Sequence, residues 1–288
     1  MQALLILVAA VGLAPLVLGM ARLGRPAPGI SLRPGLSSIL LCVLAFNLTF
    51  FWQELWLVVP KALTPGLAPV LYHNDHSWTG DAPVAELLQG TGALATLASG
   101  LASLVILLVR PRLSGTWRLL LFWMAFQGLF QSLSQFAIGT VLPGNDMGRA
   151  LAFLGVSEVG KGVLLLAVTL AMGLAGIVLA TLATLAPAGL ARPEAFRTRA
   201  FGVAMLLTAV ACVLLVAPYR MPRNPVEVAL VPAIVNLIGI GWLVLGASFS
   251  RRRRRIDDDG RTSLAGPGIA LIALLLFFQI VLRPGVAF

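Results

Sequence analysis

Two apolar stretches of the chain contain side chains that can move protons or hold a cation. Glu54 lies within one apolar run, and Asp146 follows a Pro-Gly-Asn turn at the end of another. His73 and His76 come from the Pro-rich stretch between these runs. Carboxylates and imidazoles perform general acid–base catalysis and are also the usual protein ligands of divalent metals. The four residues are therefore the first candidates for a functional site.

Glu54 is the most costly of these groups, because an ionisable side chain inside a membrane span costs about 2.5–3.5 kcal/mol on insertion scales. At helical spacing Asn47 shares its face, and Gln53 lies beside it. Such a group normally faces other helices or a hydrated cavity. Two interpretations stay open: a functional carboxylate, or a simple pairing with Lys61 or a Gln.

A second polar stripe is predicted on the apolar run that precedes Asp146. Gln127, Gln131, Ser134 and Gln135 have the spacing of one helix face, and that face leads towards Asn145. Lipid cannot satisfy these groups, so the stripe must meet another helix or a cavity. The alternatives are hydrogen bonds between helices and the lining of a polar site.

Two short motifs resemble those of the site-2 protease family of intramembrane zinc metalloproteases. Gln53 to Leu57 resembles the HExxH helix motif, with Glu54 at the glutamate position and Gln53 and Leu57 in place of the two histidines. Residues 142–149, Leu-Pro-Gly-Asn-Asp-Met-Gly-Arg, resemble the later segment that supplies a third ligand.

The resemblance implies a zinc site in which Glu54 is the catalytic base and Asp146 is a metal ligand. His73 and His76 would supply the missing nitrogens if the Pro-rich stretch folds back over the helix ends. Zinc would then lower the pKa of a bound water towards 7.

The elements that position these residues are predicted to be membrane helices. The sequence is 59% hydrophobic and 11% charged, whereas soluble domains have roughly 25% charged residues, so a soluble fold is excluded. We expect an all-α, polytopic transmembrane bundle over residues 1–288, in a cell membrane of the bacterial inner-membrane type. About eight spans are predicted, near 2–21, 36–60, 88–109, 117–142, 161–187, 200–218, 228–249 and 264–282.

Charge predicts the orientation of the spans, because Lys and Arg concentrate on the cytoplasmic side. Alternate loops beginning after the first span contain fifteen of the 21 Lys and Arg, among them Arg251, Arg252, Arg253, Arg254 and Arg255. Both termini are therefore expected outside, and the polar residues described above in the outer half of the membrane.

Two loops stand out in this arrangement. Residues 61–87 form a Pro-rich outer loop, for which we expect a fixed, non-helical excursion. Residues 250–263 form a cytoplasmic loop in which the five arginines 251–255 precede acidic residues. These arginines either bind anionic lipid headgroups or act only as a retention signal. The net charge of +10 follows from topology, so no nucleic acid is expected as a partner.

The leading functional hypothesis is a metal-dependent, protease-like hydrolase that acts on a lipid or a membrane-buried peptide bond near the outer face. One alternative is a transporter or channel component with a polar path centred on Glu54. A non-catalytic membrane partner protein is the other. Whether the chain is an enzyme stays open at this stage.

Overall fold

The computed structural model describes residues 2–25, 35–110, 113–183, 198–220, 229–250 and 264–288. Within this part of the chain there are eight long helices, one short helix and three short strands. In chain order they are α1 (Gln2–Arg22), α2 (Leu36–Ala62), β1 (Ala68–Leu71), β2 (His76–Thr79), α3 (Val84–Val109), α4 (Gly115–Val141), α5 (Asp146–Phe153), α6 (Glu158–Ala183), α7 (Arg199–Arg220), α8 (Val231–Phe249), α9 (Ala265–Leu282) and β3 (Val286–Ala287).

Seven of these helices are long and apolar enough to cross a bilayer, all of the long ones except α4. Large apolar side chains on their outer faces are exposed, for example Leu166, Leu170 and Leu174 on α6. Such a surface suits lipid and not water, so the chain has the character of a multi-pass membrane protein. The count of eight spans and the side on which each terminus lies stay predictions.

Helix α4 differs from the others because it carries the predicted polar stripe. It is 27 residues long, and most of its side chains are buried. Its closest crossing is with α3, where a Cβ added at Gly100 would lie 2.6 Å from the backbone nitrogen of Leu129. Small residues at this crossing let the two backbones touch. Neighbouring helices therefore shield the polar groups of α4 from lipid.

The Pro-rich stretch between α2 and α3 forms a β-hairpin. Strands β1 and β2 pair antiparallel, with Leu71 opposite His76, and β3 pairs with the other edge of β1. The Tyr72 N–H donates to the Asp75 carbonyl at 2.8 Å, so His73 and Asn74 form a two-residue tip. A hairpin and a strand far away in sequence thus make one small sheet.

Helix α2 extends beyond the ends of α7 and α9 on the side of the hairpin. The guanidinium of Arg220, the last residue of α7, lies 4.0 Å from the ring centre of Phe50. The ring of Phe278 in the last turn of α9 lies 5.7 Å from that of Phe51. From this level α2 continues for about 12 residues, or roughly 18 Å at the helical rise of ~1.5 Å per residue.

We use the term cap for the structure that surrounds this extension of α2. It contains the hairpin, the first turns of α3, the last turns of α4 and the short helix α5. A hydrogen bond of 3.1 Å from the Trp52 indole to the Ala95 carbonyl joins α2 to α3 within it. Gln53 and Glu54 belong to this extension and therefore lie at one end of the bundle, whereas Asn47 precedes the extension.

Several predictions concern residues outside the described ranges. They include the arginines 251–255, and the loop 250–263 apart from Ser250. Helices α3 and α6 begin a few residues before the predicted spans, at Val84 and Glu158. Glu86 and Glu158 lie in their first turns, where a negative charge is favourable beside the positive end of the helix dipole.

Candidate functional site

The cap contains a buried carboxylate–imidazole pair. His76 on β2 places Nδ1 2.9 Å from Oε2 of Glu54 on α2, and both side chains are more than nine-tenths buried. Nε2 of the same imidazole lies 3.1 Å from Oε1 of Gln89, which is also buried. Three elements, α2, β2 and the start of α3, therefore converge on one histidine ring.

The two contacts use both nitrogens of the His76 ring, and which nitrogen donates depends on the tautomer. Nδ1 faces the Glu54 carboxylate, which only accepts, so Nδ1 either donates a hydrogen bond to it or shares a bound cation with it. Nε2 faces the Gln89 amide, which can accept or donate.

Asp75 brings a second carboxylate to the pair. Ligand atoms of Glu54, Asp75 and His76 lie within 4.8 Å of one another, and this is the group among the described residues that could hold a metal ion. We call these three residues the cap centre. One imidazole and two carboxylates form a donor set that zinc accepts, and an orienting partner on the second imidazole nitrogen is common at such sites. Gln89 is in the position of that partner.

Basic and aromatic side chains surround the cap centre. The Trp78 ring stacks on His76, with their centres 5.8 Å apart. Lys61 lies over the same indole at 4.7 Å and donates to the Leu57 carbonyl at 2.7 Å. Arg149 lies 5.8 Å from the indole centre. Two cations and the imidazole of the cap centre therefore gather around one indole.

Asp146 begins α5 close to this group. Asn145 caps the helix, because its side chain accepts from the Gly148 N–H at 2.6 Å. Burial raises the pKa of Asp146, and the Glu54 carboxylate raises it further, against opposing effects of His76, Lys61 and Arg149. Asp146 is therefore a carboxyl group that holds its proton more tightly than usual.

The structure does not assemble the predicted ligand set of His73, His76 and Asp146. His73 is at the hairpin tip and lines a separate pocket with Asn47 and Arg220, whereas His76 on the returning strand faces Glu54. Asp146 is near Glu54 but is not in the group that could hold a metal. The reason is the hairpin, since residues on either side of a tight tip face different neighbours.

Sequence reasoning missed Asp75 and Gln89. Asp75 directly precedes His76, and a carboxylate next to a histidine in the same loop was a usable signal. Gln89 lies in the second turn of α3, just before Gly90 and Gly92, and nothing in its spacing pointed to His76. Both positions depend on how the hairpin folds against α2.

The remaining predicted polar residues lie along α2 and α4. Gln135 donates to Gln53 at 2.6 Å, and Asn47 donates to the Val43 carbonyl within α2. Deeper in the bundle, Gln131 donates to Gln127 at 3.0 Å, and Gln127 donates to Asn236 of α8 at 3.1 Å. We call Gln127, Gln131 and Asn236 the amide ladder.

The hydrogen bonds of the amide ladder end on neighbouring groups inside the bundle. Gln127 also lies 3.6 Å from the sulfur of Cys42, and Asn236 donates to the Pro232 carbonyl at 2.9 Å. Ser134, on the same helix, is buried without a hydrogen-bond partner in the described part of the chain. These contacts join α2, α4 and α8, which is the role expected of hydrogen bonds between helices.

Comparisons with protein-family models, with curated proteins and with solved structures find no match to this chain. The function of the protein is therefore inferred from the geometry of the cap.

Proposed function

We propose that this integral membrane protein is a metal-dependent hydrolase whose metal centre is the cap centre, Glu54, Asp75 and His76. The observation that carries the proposal is the convergence of ligand atoms of Glu54, Asp75 and His76 to within 4.8 Å of one another, with Gln89 on the second nitrogen of the imidazole. A bound cation offsets the repulsion between the two carboxylates. Zinc accepts this donor set.

The roles of the residues differ from those implied by the site-2 protease resemblance. Glu54 is a ligand in this proposal, whereas the resemblance makes it the base. Asp146, whose pKa is raised, takes the place of the group that carries a proton to or from the substrate. Gln89 orients His76, and Trp78 excludes water from one face of the ring. A bound zinc ion would supply Lewis acidity and a water of lowered pKa.

The position of the cap favours a substrate at the membrane surface. The cap lies beyond the ends of α7 and α9, and the exposed indoles of Trp52 and Trp56 lie on its outer side. Indoles of this kind prefer the interface between lipid and water. A lipid ester or a peptide bond near that interface is the substrate class that fits, and the distribution of Lys and Arg favours the outer face of the membrane.

Metal content of the purified protein tests the proposal. After loading with zinc and removal of free ion, we expect about one zinc per wild-type chain and a large loss in His76→Ala and in Asp75→Asn. His73→Ala is the matched control, because it removes the other imidazole of the same hairpin and should keep its zinc. Zinc absent from the wild type, or equal in all four proteins, would overturn the metal centre.

A second measurement separates the alternatives. Hydrolysis of fluorogenic lipid esters and of membrane-inserted peptides should depend on zinc and fall at least tenfold in Asp146→Asn. A carrier with a path centred on Glu54 would instead move protons or solute in proteoliposomes and lose this in Glu54→Gln. A non-catalytic partner protein would show neither activity.

A further inference from the structure

Lys61, near the end of α2, is a buried cation that is not a ligand in the metal centre proposed above. The residue is completely buried, with 0% of its surface exposed. The ion pairs formed among the described residues do not include it. Burying an ammonium group without an ion pair is costly. Its presence in the cap therefore indicates that the charge itself acts on its neighbours.

Two contacts fix the position of the ammonium group. Nζ of Lys61 donates to the Leu57 carbonyl, one turn earlier on α2, at 2.7 Å. It also lies 4.7 Å from the centre of the Trp78 indole. A backbone carbonyl and an aromatic face both stabilise a positive charge, and neither carries a negative charge that would cancel it. The charge is therefore held in one place.

This charge lies close to the cap centre. Glu54 and Lys61 are seven residues apart, so they share one face of α2 and are separated by roughly 10 Å along its axis. The Trp78 indole that contacts Lys61 also stacks on His76, with the ring centres 5.8 Å apart. The ammonium interacts electrostatically with the carboxylates of Asp146 and Glu54. A metal ion bound beside Glu54 therefore lies within the field of Lys61.

Arg149 is the second cation beside Trp78, and its surroundings differ from those of Lys61. Its side chain is 39% exposed and lies 3.7 Å from the carboxylate of Glu86. Water, salt and this partner screen its charge, whereas a buried charge is screened much less. Of these two cations, Lys61 therefore has the stronger effect on an ion at the cap centre.

We propose that Lys61 sets the affinity of the cap centre for zinc, by repelling the bound ion. This inference rests on the metal centre proposed above and adds to it a residue that is not a ligand. In the metal-free protein the same charge offsets part of the repulsion between the carboxylates of Glu54 and Asp75. Lys61 thus favours the empty site over the occupied one, and it keeps the metal exchangeable.

Zinc dissociation constants test this role when they are measured in detergent micelles near pH 7, by competition with a chromophoric chelator. Lys61→Met removes the charge and keeps an unbranched side chain. We expect this variant to bind zinc about tenfold more tightly than the wild type, which is the effect of one unit charge at roughly 10 Å in a protein interior. Loss of a merely structural contact would weaken binding. The direction of the change therefore separates the two roles.

Two control variants show whether charge at residue 61 is the cause. Lys61→Arg retains the charge, and Lys161→Met removes a charge from the ion pair on α6, so both should keep the wild-type affinity. If Lys61→Met does not fold, Lys61→Gln replaces it, because glutamine removes the charge and still has an N–H donor for the Leu57 carbonyl.

The outcomes separate this inference from the metal centre on which it rests. Zinc bound no more tightly by the folded, charge-free variant of Lys61 would overturn the proposal. Equal tightening in Lys161→Met or in Lys61→Arg would also overturn it, since the effect would then not come from the charge at residue 61. A wild-type protein that binds no zinc would instead overturn the metal centre itself, and this inference with it.

Discussion

The cap centre and the amide ladder are both buried and polar, but the cap centre consists of ionisable groups and the ladder of neutral amides. In the ladder, neutral amides on α4 and α8 donate to and accept from one another. In the cap centre, two carboxylates crowd one imidazole, and Gln89 occupies the other nitrogen of that ring. The amide donors of the ladder bond to acceptors within the bundle, whereas the cap centre concentrates two carboxylates whose mutual repulsion a proton or a cation offsets.

This difference distinguishes polar groups that stabilise the fold from polar groups that bind a proton or an ion. Neutral amides in a membrane core stabilise by about 0.6 kcal/mol per hydrogen bond and need nothing further. Ionisable groups buried away from water bind a proton or an ion, and the stability of the fold changes when it is removed. The comparison can be tested by removing one member of each group and comparing the cost.

The largest effect is expected from His76→Ala measured after chelation of metals. The change leaves the Glu54 carboxylate buried without its imidazole, and removing the partner of a buried charged group costs about 3–5 kcal/mol. Unfolding in detergent micelles measures the loss. Adding Glu54→Gln to this variant should recover part of it, because no buried charge then remains at residue 54. A loss of about 2 kcal/mol or less would place the cap centre in the same class as the ladder.

A smaller effect is expected from Gln127→Met in the ladder. This change removes the hydrogen bond to Asn236 and the acceptor of Gln131, for a cost of about 1–2 kcal/mol. Adding Asn236→Leu should cost less than the sum of the single changes, since neither partner is then left unsatisfied. The same unfolding assay applies. Strictly additive losses would show that the two amides do not depend on each other.

The third prediction concerns pH and Asp146. Because its pKa is raised in the folded protein, this carboxyl favours folding at acid pH and opposes it as the pH rises through the raised pKa. Asp146→Asn should therefore be more stable than the wild type near pH 7. The advantage should disappear as the pH falls below the ordinary pKa of 3.8. Unfolding temperatures of both proteins over this pH range give the comparison, and a gain that grows towards acid pH would contradict it.

The smallest effect is expected at the exposed pair of Glu158 and Lys161. Their side chains lie 2.7 Å apart, and that of Glu158 is 86% exposed. Exposed pairs of this kind contribute about 0.5 kcal/mol or less, so Glu158→Gln should leave stability nearly unchanged. This variant calibrates the assay for the other three. A loss as large as that of Gln127→Met would mean that the assay reports charge and not burial.

Helical periodicity predicted contacts between residues that lie on the same helix. Glu158 and Lys161, three residues apart on α6, form the ion pair that this spacing favours. The alignment of Gln127 and Gln131 on one face of α4 also follows from spacing alone. By contrast, Asn236 is on α8, and no local pattern identified it as their partner.

The hairpin was beyond sequence reasoning for a physical reason. His73 and His76 are three residues apart, which in a helix would place them together. Around a two-residue tip the same spacing sends them to different pockets. Neither propensity nor charge indicates where such a hairpin will insert, because its position depends on packing against α2, α7 and α9. The convergence of Asp75 and Gln89 on His76 therefore became visible only in three dimensions.

The pairing of Leu71 with Val286 has a consequence for biogenesis. A ribosome makes the hairpin well before β3, so in the meantime β1 has only one neighbour. A nascent chain halted before α9 would already contain Glu54, Asp75 and His76, yet the strand beside them would lack its second edge. Completion of the sheet beside the cap centre therefore waits for synthesis of α9 and β3.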